Sequence, residues 1–191
     1  MKKNILILVL LSFLVSCASA LNRAAENGDI ATIESSITAE QGVQTKDFMG
    51  QTALHRAAFA AQPNSVQKLI EKGADPNAVD RDGFTPLHLA SMISSRPLIA
   101  PLLYTDAPEA DQKATIEALV KGGANINAED SNGNTPILLA CIFRQISKVK
   151  ILIEQKADLQ KASRTGMTPL KIAMINRDEE LKKILIEAGA K

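Results

Sequence analysis

The chain has 191 residues, 22 Lys and Arg against 21 Asp and Glu, and a formal charge of +1, so it is the size of one ordinary domain and carries no charge excess. With no Trp, one Tyr and two Cys, its apolar volume must come from Leu, Ile and Ala, which suits stacked helices better than one large core. A disulfide framework is excluded, and so is a strongly basic surface for nucleic acid or anionic membranes.

Residues 1–20 read as a secretory signal. Lys2 and Lys3 form a positive start, and Ile5 to Val15 form an apolar stretch too short to span a bilayer. Two cleavage readings follow. Leu14-Val15-Ser16-Cys17 resembles the lipobox of bacterial lipoproteins, which would leave Cys17 as a lipidated N-terminus. Ala18 after it is not the Asp of an inner-membrane retention signal, so the outer membrane is expected. Ala18-Ser19-Ala20 instead resembles an ordinary signal-peptidase site, which would release a soluble periplasmic or secreted protein starting at Leu21. Losing Lys2 and Lys3 leaves 20 basic against 21 acidic residues, a net of −1. In either case Cys141 becomes the sole thiol, and its setting beside Ala140 reads as core.

From Leu21 the pattern is helical. Residues 21–46 hold a short pair, with the second helix over Ile30 to Ile37 weakened by Ser35 and Ser36. Residues 47–79 predict helices near 52–61 and 64–72, the second carrying Val66, Leu69 and Ile70 at helical spacing and ending at Gly73. Residues 80–129 begin with Asp80-Arg81-Asp82-Gly83-Phe84-Thr85-Pro86-Leu87-His88, a turn followed by an N-cap Thr and a first-position Pro. Their helices are expected over 85–94 and 108–121, with Asp106 and Glu109 as a capping box and Ile116, Leu119 and Val120 facing inward. The segment between, 95–111, holds Pro97, Pro101 and Pro108 among large apolar residues. It either folds back onto the core or forms a contact loop. Residues 130–162 repeat the pattern with Val149, Ile151, Leu152 and Ile153 in their second helix. Residues 163–191 end in a helix over 178–187, charged on one side as an end cap should be.

The copies are periodic. Thr52 to Thr85 is 33 residues, Thr135 to Thr168 is 33 again, and Thr85 to Thr135 is 50, one period plus 17 inserted residues. Each Thr opens a Thr-(Pro/Ala)-(Leu/Ile) start, and Lys72-Gly73-Ala74-Asp75-Pro76-Asn77-Ala78 recurs as Gly122-Gly123-Ala124-Asn125-Ile126-Asn127-Ala128. Both halves at a fixed offset resemble the ankyrin repeat family over nearly the whole chain after residue 20. The resemblance implies an all-α ankyrin-repeat solenoid of helix-turn-helix units with short hairpin turns, five repeats including atypical caps.

Chemistry is not suggested. His55 and His88 both occupy the fourth position of the Thr-Pro-Leu-His start, where the family uses the imidazole to hold loop backbone, and no Cys or carboxylate stands at ligand spacing to them. No phosphate loop or nucleophile motif occurs. No enzyme activity, cofactor or metal is therefore expected. The resemblance implies instead a recognition face made of turn tips and the open side of each first helix. Carried over position by position, that face holds Phe48, Met49, Phe59, Val79, Arg81, Phe84, Met92, Ile93, Asn134, Ile142, Phe143, Arg164 and Met167. The four Phe after the signal all fall on it, and Phe, Met and Arg are interface residue types. The expectation is a monomeric binding module in a bacterial envelope that grips another protein, with no nucleic acid and no membrane contact beyond the lipid. The alternatives are an inhibitor or immunity protein blocking a periplasmic toxin or enzyme, and a secreted host-directed effector.

Overall fold

The computed structural model describes residues 20–37, 42–92 and 107–191. The signal segment with Cys17, residue Ile93 and most of the inserted segment, including Asp106, lie outside the described residues. Within them ten helices follow one another in pairs, with no strand. These are residues 20–27 (α1) and Ile30–Ser36 (α2), Ala53–Phe59 (α3) and Pro63–Glu71 (α4), Pro86–Ser91 (α5) and Glu109–Lys121 (α6). Pro136–Ile142 (α7) with Ile146–Glu154 (α8), and Pro169–Ile175 (α9) with Glu179–Glu187 (α10), complete the series. The all-α repeat architecture expected from the sequence is the one observed.

The first helix of a pair starts where it does for a local reason. Thr85, Thr135 and Thr168 sit extended at the N-cap, and their hydroxyls accept the backbone N–H three residues on, while Pro86, Pro136 and Pro169 take the first helical position. The expected capping box on α6 is not seen. Its N-cap is Pro108, which has no side-chain cap, and Glu109 is the first helical residue rather than the third. At the other end of the chain, Asp178 caps α10 by accepting from Leu181 N at 3.1 Å.

The first helices α3, α5, α7 and α9 pack side by side in one layer, and α2, α4, α6 and α8 in another. Each first helix also packs on its own second helix from α3/α4 onward. The core between the layers is columnar. Ile33, Val66, Ile116 and Val149 occupy equivalent positions on successive second helices and are fully buried. So are Leu69, Leu119, Leu152 and Leu185. Each such side chain contributes about 1.5–3 kcal/mol by leaving water. The α2 counterpart of that leucine column is Ser36, half-buried, so the first pair holds on less tightly. One member of the inner face is charged: Lys148 on α8 is 1% exposed, and its Nζ donates to the carbonyl of Met92 at the end of α5.

Three hydrogen-bonded seams join pair to pair. In the turns, Arg81 N–H donates to Met49 O at 3.2 Å, Ser131 N–H to Asp82 O at 3.1 Å and Arg164 N–H to Asn132 O at 3.0 Å. All three bonds fall at one register. Close approach explains the turn glycine. Gly83 has φ +80°, and a Cβ there would lie 2.7 Å from Ser131 N. Gly166, in the last turn, has φ +74° but nothing within 4 Å of such a Cβ. At the far side of each pair, side-chain amides at a second register reach the next loop. Gln44 donates to Gly73 O at 3.1 Å, Asn77 to Gly123 O at 2.9 Å and Gln160 to Gly189 O at 3.0 Å, while Asn127 accepts from Asp158 N at 2.9 Å. The third seam is made by the histidines.

Candidate binding face

His55 and His88 are fully buried, and their two ring nitrogens do different work. Nδ1 of His55 accepts from Thr52 N–H at 3.2 Å, and Nδ1 of His88 from Thr85 N–H at 3.1 Å. The proton must therefore sit on Nε2, which donates to Phe84 O at 2.9 Å from His55 and to Asn134 O at 3.0 Å from His88. Each imidazole ties the start of its own helix to the next pair's turn. Burial pushes both below the ordinary histidine value of 6.5, against a smaller upward pull from those carbonyls. With both nitrogens engaged, neither ring is free to act as a base or a ligand. Among the described residues no cluster of three or more His, Cys, Asp or Glu could hold a metal. Cys141 is fully buried, and burial pushes its thiol up to about 12.

The turns are held by one acidic device. Asp80 Oδ1 accepts from Asp82 N at 3.0 Å and Phe84 N at 2.9 Å, and Asp130 Oδ1 from Asn132 N at 2.7 Å and Asn134 N at 2.8 Å. Asp47 does the same for Met49 and Gln51, and its second oxygen takes Arg56 Nη2 at 2.8 Å. Burial raises the Asp47 carboxyl, but Arg56 and those N–H groups together outweigh it and hold it below the usual range. The turn tips are thereby rigid supports for whatever side chains they carry.

Upon those supports the expected face is only partly open. Phe48 is 76% exposed, Val79 46% and Met49 41%, all on adjoining turns. Arg81 and Arg164 are exposed at equivalent turn positions, their stems beside Gly50 and Gly133 of the preceding turns. Phe84 is not the free tip residue expected: it is half-buried, its ring 5.9 Å from that of His88, and its carbonyl receives His55. Asn134 is similarly committed, its amide donating to Asp130 Oδ2 at 2.9 Å and its carbonyl accepting from His88. Phe143, at the C-cap of α7, is half-buried. Cys17 and Ile93 lie outside the described residues.

Along the first helices one register carries a large apolar residue in every pair from the second on: Phe59, Met92, Ile142 and Ile175. Phe59 and Met92 are half-buried, Ile142 is 44% exposed and Ile175 67%, so the stripe opens toward the last pair. There Ile142 and Ile175 border a groove of about 310 Å³ shared with Met167, Asn134 and Ile172. The structure thus brings Asn134, Ile142 and Met167 together, while Phe48, Met49 and Val79 form a separate cluster on the second and third turns. Met174 and Ile186 are exposed apolar residues off the expected face. Met174 stands at the register where Ala58, Ser91 and Cys141 are buried between neighbouring first helices. It is open because no further pair covers it among the described residues. Counting registers, rather than residue types, would have found it.

A family model described as ankyrin repeats, in three copies, matches residues 21–114 and again residues 103–191. Among curated proteins, the human neurogenic locus notch homolog protein 4 is 44% identical over 54 residues, 28% of this chain and 3% of that protein. The Drosophila melanogaster neurogenic locus Notch protein is 46% identical over 46 residues, 24% of this chain and 2% of its own. An L-asparaginase of Dirofilaria immitis is 32% identical over 75 residues, 39% of this chain and 13% of the enzyme. The chain therefore spans only a small part of the length of these relatives.

Proposed function

The chain belongs to the ankyrin repeat family, whose repeats generally mediate protein–protein interaction, and from its exposed face we propose a non-catalytic binding module of a bacterial cell envelope. The observation that carries the reading is the apolar stripe ending in Ile142 and Ile175, together with Phe48, Met49 and Val79 on the turns. Side chains this large and this open mark a surface that gains by being covered by a partner. The partner is gripped by burial of Phe48, Met92, Ile142 and Ile175, and Arg81 and Arg164 select it at the rim. Both histidines are spent on joining pair to pair, which supports binding rather than catalysis.

The location rests on the sequence of residues 1–20, which supports export and, through Cys17, a lipid tether on the periplasmic side of the outer membrane. Intact mass of the mature protein, compared with Cys17→Ala, tests it. Acyl mass on Cys17 in the membrane fraction is expected, and a soluble species starting at Leu21 refutes the tether. Binding is tested in cells by placing a photo-crosslinking phenylalanine at Phe48 or Ile142, with Lys121 on the outer helix layer as control. Discrete protein adducts are expected from the first two positions alone. Adducts from Lys121 only, or from none, would sink the reading.

A further inference from the structure

Over the last two pairs the open groove has an uncharged lining, and arginines stand next to that lining in the chain. Ile142, Ile175, Met167 and Ile172 give it an apolar lining, and its polar lining is made of amides and hydroxyls with no carboxylate. Arg164 lies between two of its lining residues, Ser163 and Thr165, and Arg177 directly follows a third, Asn176. Both arginines are exposed, and neither guanidinium makes an ion pair or a hydrogen bond among the described residues.

Of the carboxylates nearby, Glu180 at the start of α10 is exposed and acts on Arg144, and the others are engaged. Asp178 pairs with Arg144 and caps α10, Glu129 pairs with Lys161 at 2.9 Å, and Asp130 is saturated by its own turn. Lys171, also exposed, adds a further positive charge, its Nζ donating to Gly166 O at 3.0 Å. The backbone at Arg177 is informative too. It is left-handed, φ 51°, at the register of Gly28, Ala61 and Arg144, and the Arg144 guanidinium at that register already takes a carboxylate, Asp178 of the next pair.

We propose that this end of the face takes an extended segment of a partner protein in which large apolar side chains are flanked by Asp or Glu. The apolar groups fill the groove beside Ile142 and Ile175, and the carboxylates meet Arg164 and Arg177. The inference rests on the binding-face reading above and adds the chemistry of the partner.

A random peptide library displayed on phage, panned against the mature chain, tests it without knowledge of the partner. Parallel panning uses Arg164→Glu/Arg177→Glu and Ile142→Ser/Ile175→Ser, each checked for an unchanged circular dichroism spectrum. The native chain is expected to enrich peptides that combine Leu, Ile or Phe with Asp or Glu. The best of them, synthesised and followed by fluorescence anisotropy, should bind the charge-reversed variant about ten-fold more weakly, and should weaken in high salt. The serine variant should lose it as well. Selected peptides without acidic excess, or with affinity unmoved by charge reversal, overturn the proposal. If the serine variant still loses them, the apolar face stands and only the acidic partner falls. If it does not, the groove itself is refuted. Self-association of the native chain that the serine pair abolishes would also overturn it, in favour of a second copy.

Discussion

Removing one imidazole measures what joins a pair to the next. In His88→Ala, the N–H of Thr85, a residue only 3% exposed, loses its 3.1 Å acceptor, and the Asn134 carbonyl loses one of its two donors, keeping Asp130 N–H at 2.9 Å. The orphaned N–H costs about 1–3 kcal/mol, and the lost bond to Asn134 about 1 more. The void left by a fully buried ring adds to that, because the surrounding helices relax only in part. A loss of roughly 3–5 kcal/mol follows, a large share of the stability of an ordinary domain. Urea unfolding followed by circular dichroism reads the loss. Native-state hydrogen exchange reads where it falls: the turn at 130–135 should loosen while the turn at 47–51 stays protected. A loss under about 1 kcal/mol, with exchange at Ser131 and Asn134 unchanged, would show that the imidazole is packing material and not a tie.

Gly83→Ala should destabilise by about 3 kcal/mol, since it adds a left-handed backbone penalty to a collision with Ser131 N; Gly166→Ala bears only the penalty, about 1 kcal/mol. Thermal midpoints of the two variants check the difference, and equal losses would deny the turn seam. Acid should act in two stages. Because burial holds His55 and His88 below 6.5, their share of stability is complete above that pH; below it the unfolded chain binds protons that the folded chain refuses, and stability falls. The lowered carboxyls of Asp47 and Asp178 give up their share at lower pH, as their folded forms protonate, so urea midpoints against pH should fall in two steps. Cys141, buried and pushed up to about 12, should resist a thiol reagent in mildly alkaline buffer and react fully in urea.

The helix starts were legible in the sequence because Thr and Pro put the cap and the pre-set φ in adjacent residues, and the period then aligned every copy. What stayed hidden depended on partners far along the chain. Lys148 reads as a surface residue between Ser147 and Val149, yet it is buried because its amine finds the Met92 carbonyl on another pair. Phe84 looks like an open tip until the His88 ring is known to lie against it, tilted and 5.9 Å away. Gln44, Asn77, Asn127 and Gln160 each pass for ordinary loop residues, and only their shared register reveals the amide seam. The left-handed positions at Ala61, Arg144, Lys156 and Arg177 carry no glycine to announce them. The binding face was legible as a set of positions, but how open each one stands was not, because that depends on the covering neighbour.

The shared registers make the pairs interchangeable parts. Were residues 133–165 excised, Asn132 would run straight into Gly166, a turn whose glycine has an empty flank. His88 would face the Met167 carbonyl, Leu119 would meet Leu185, and the Asn127 side chain would take the Lys191 N–H that Gln160 now holds. No new surface would have to be invented for that shorter array, nor for a longer one. How far this protein reaches along its partner is thus a quantity that duplication or loss of a single unit can adjust, leaving the joints as they are.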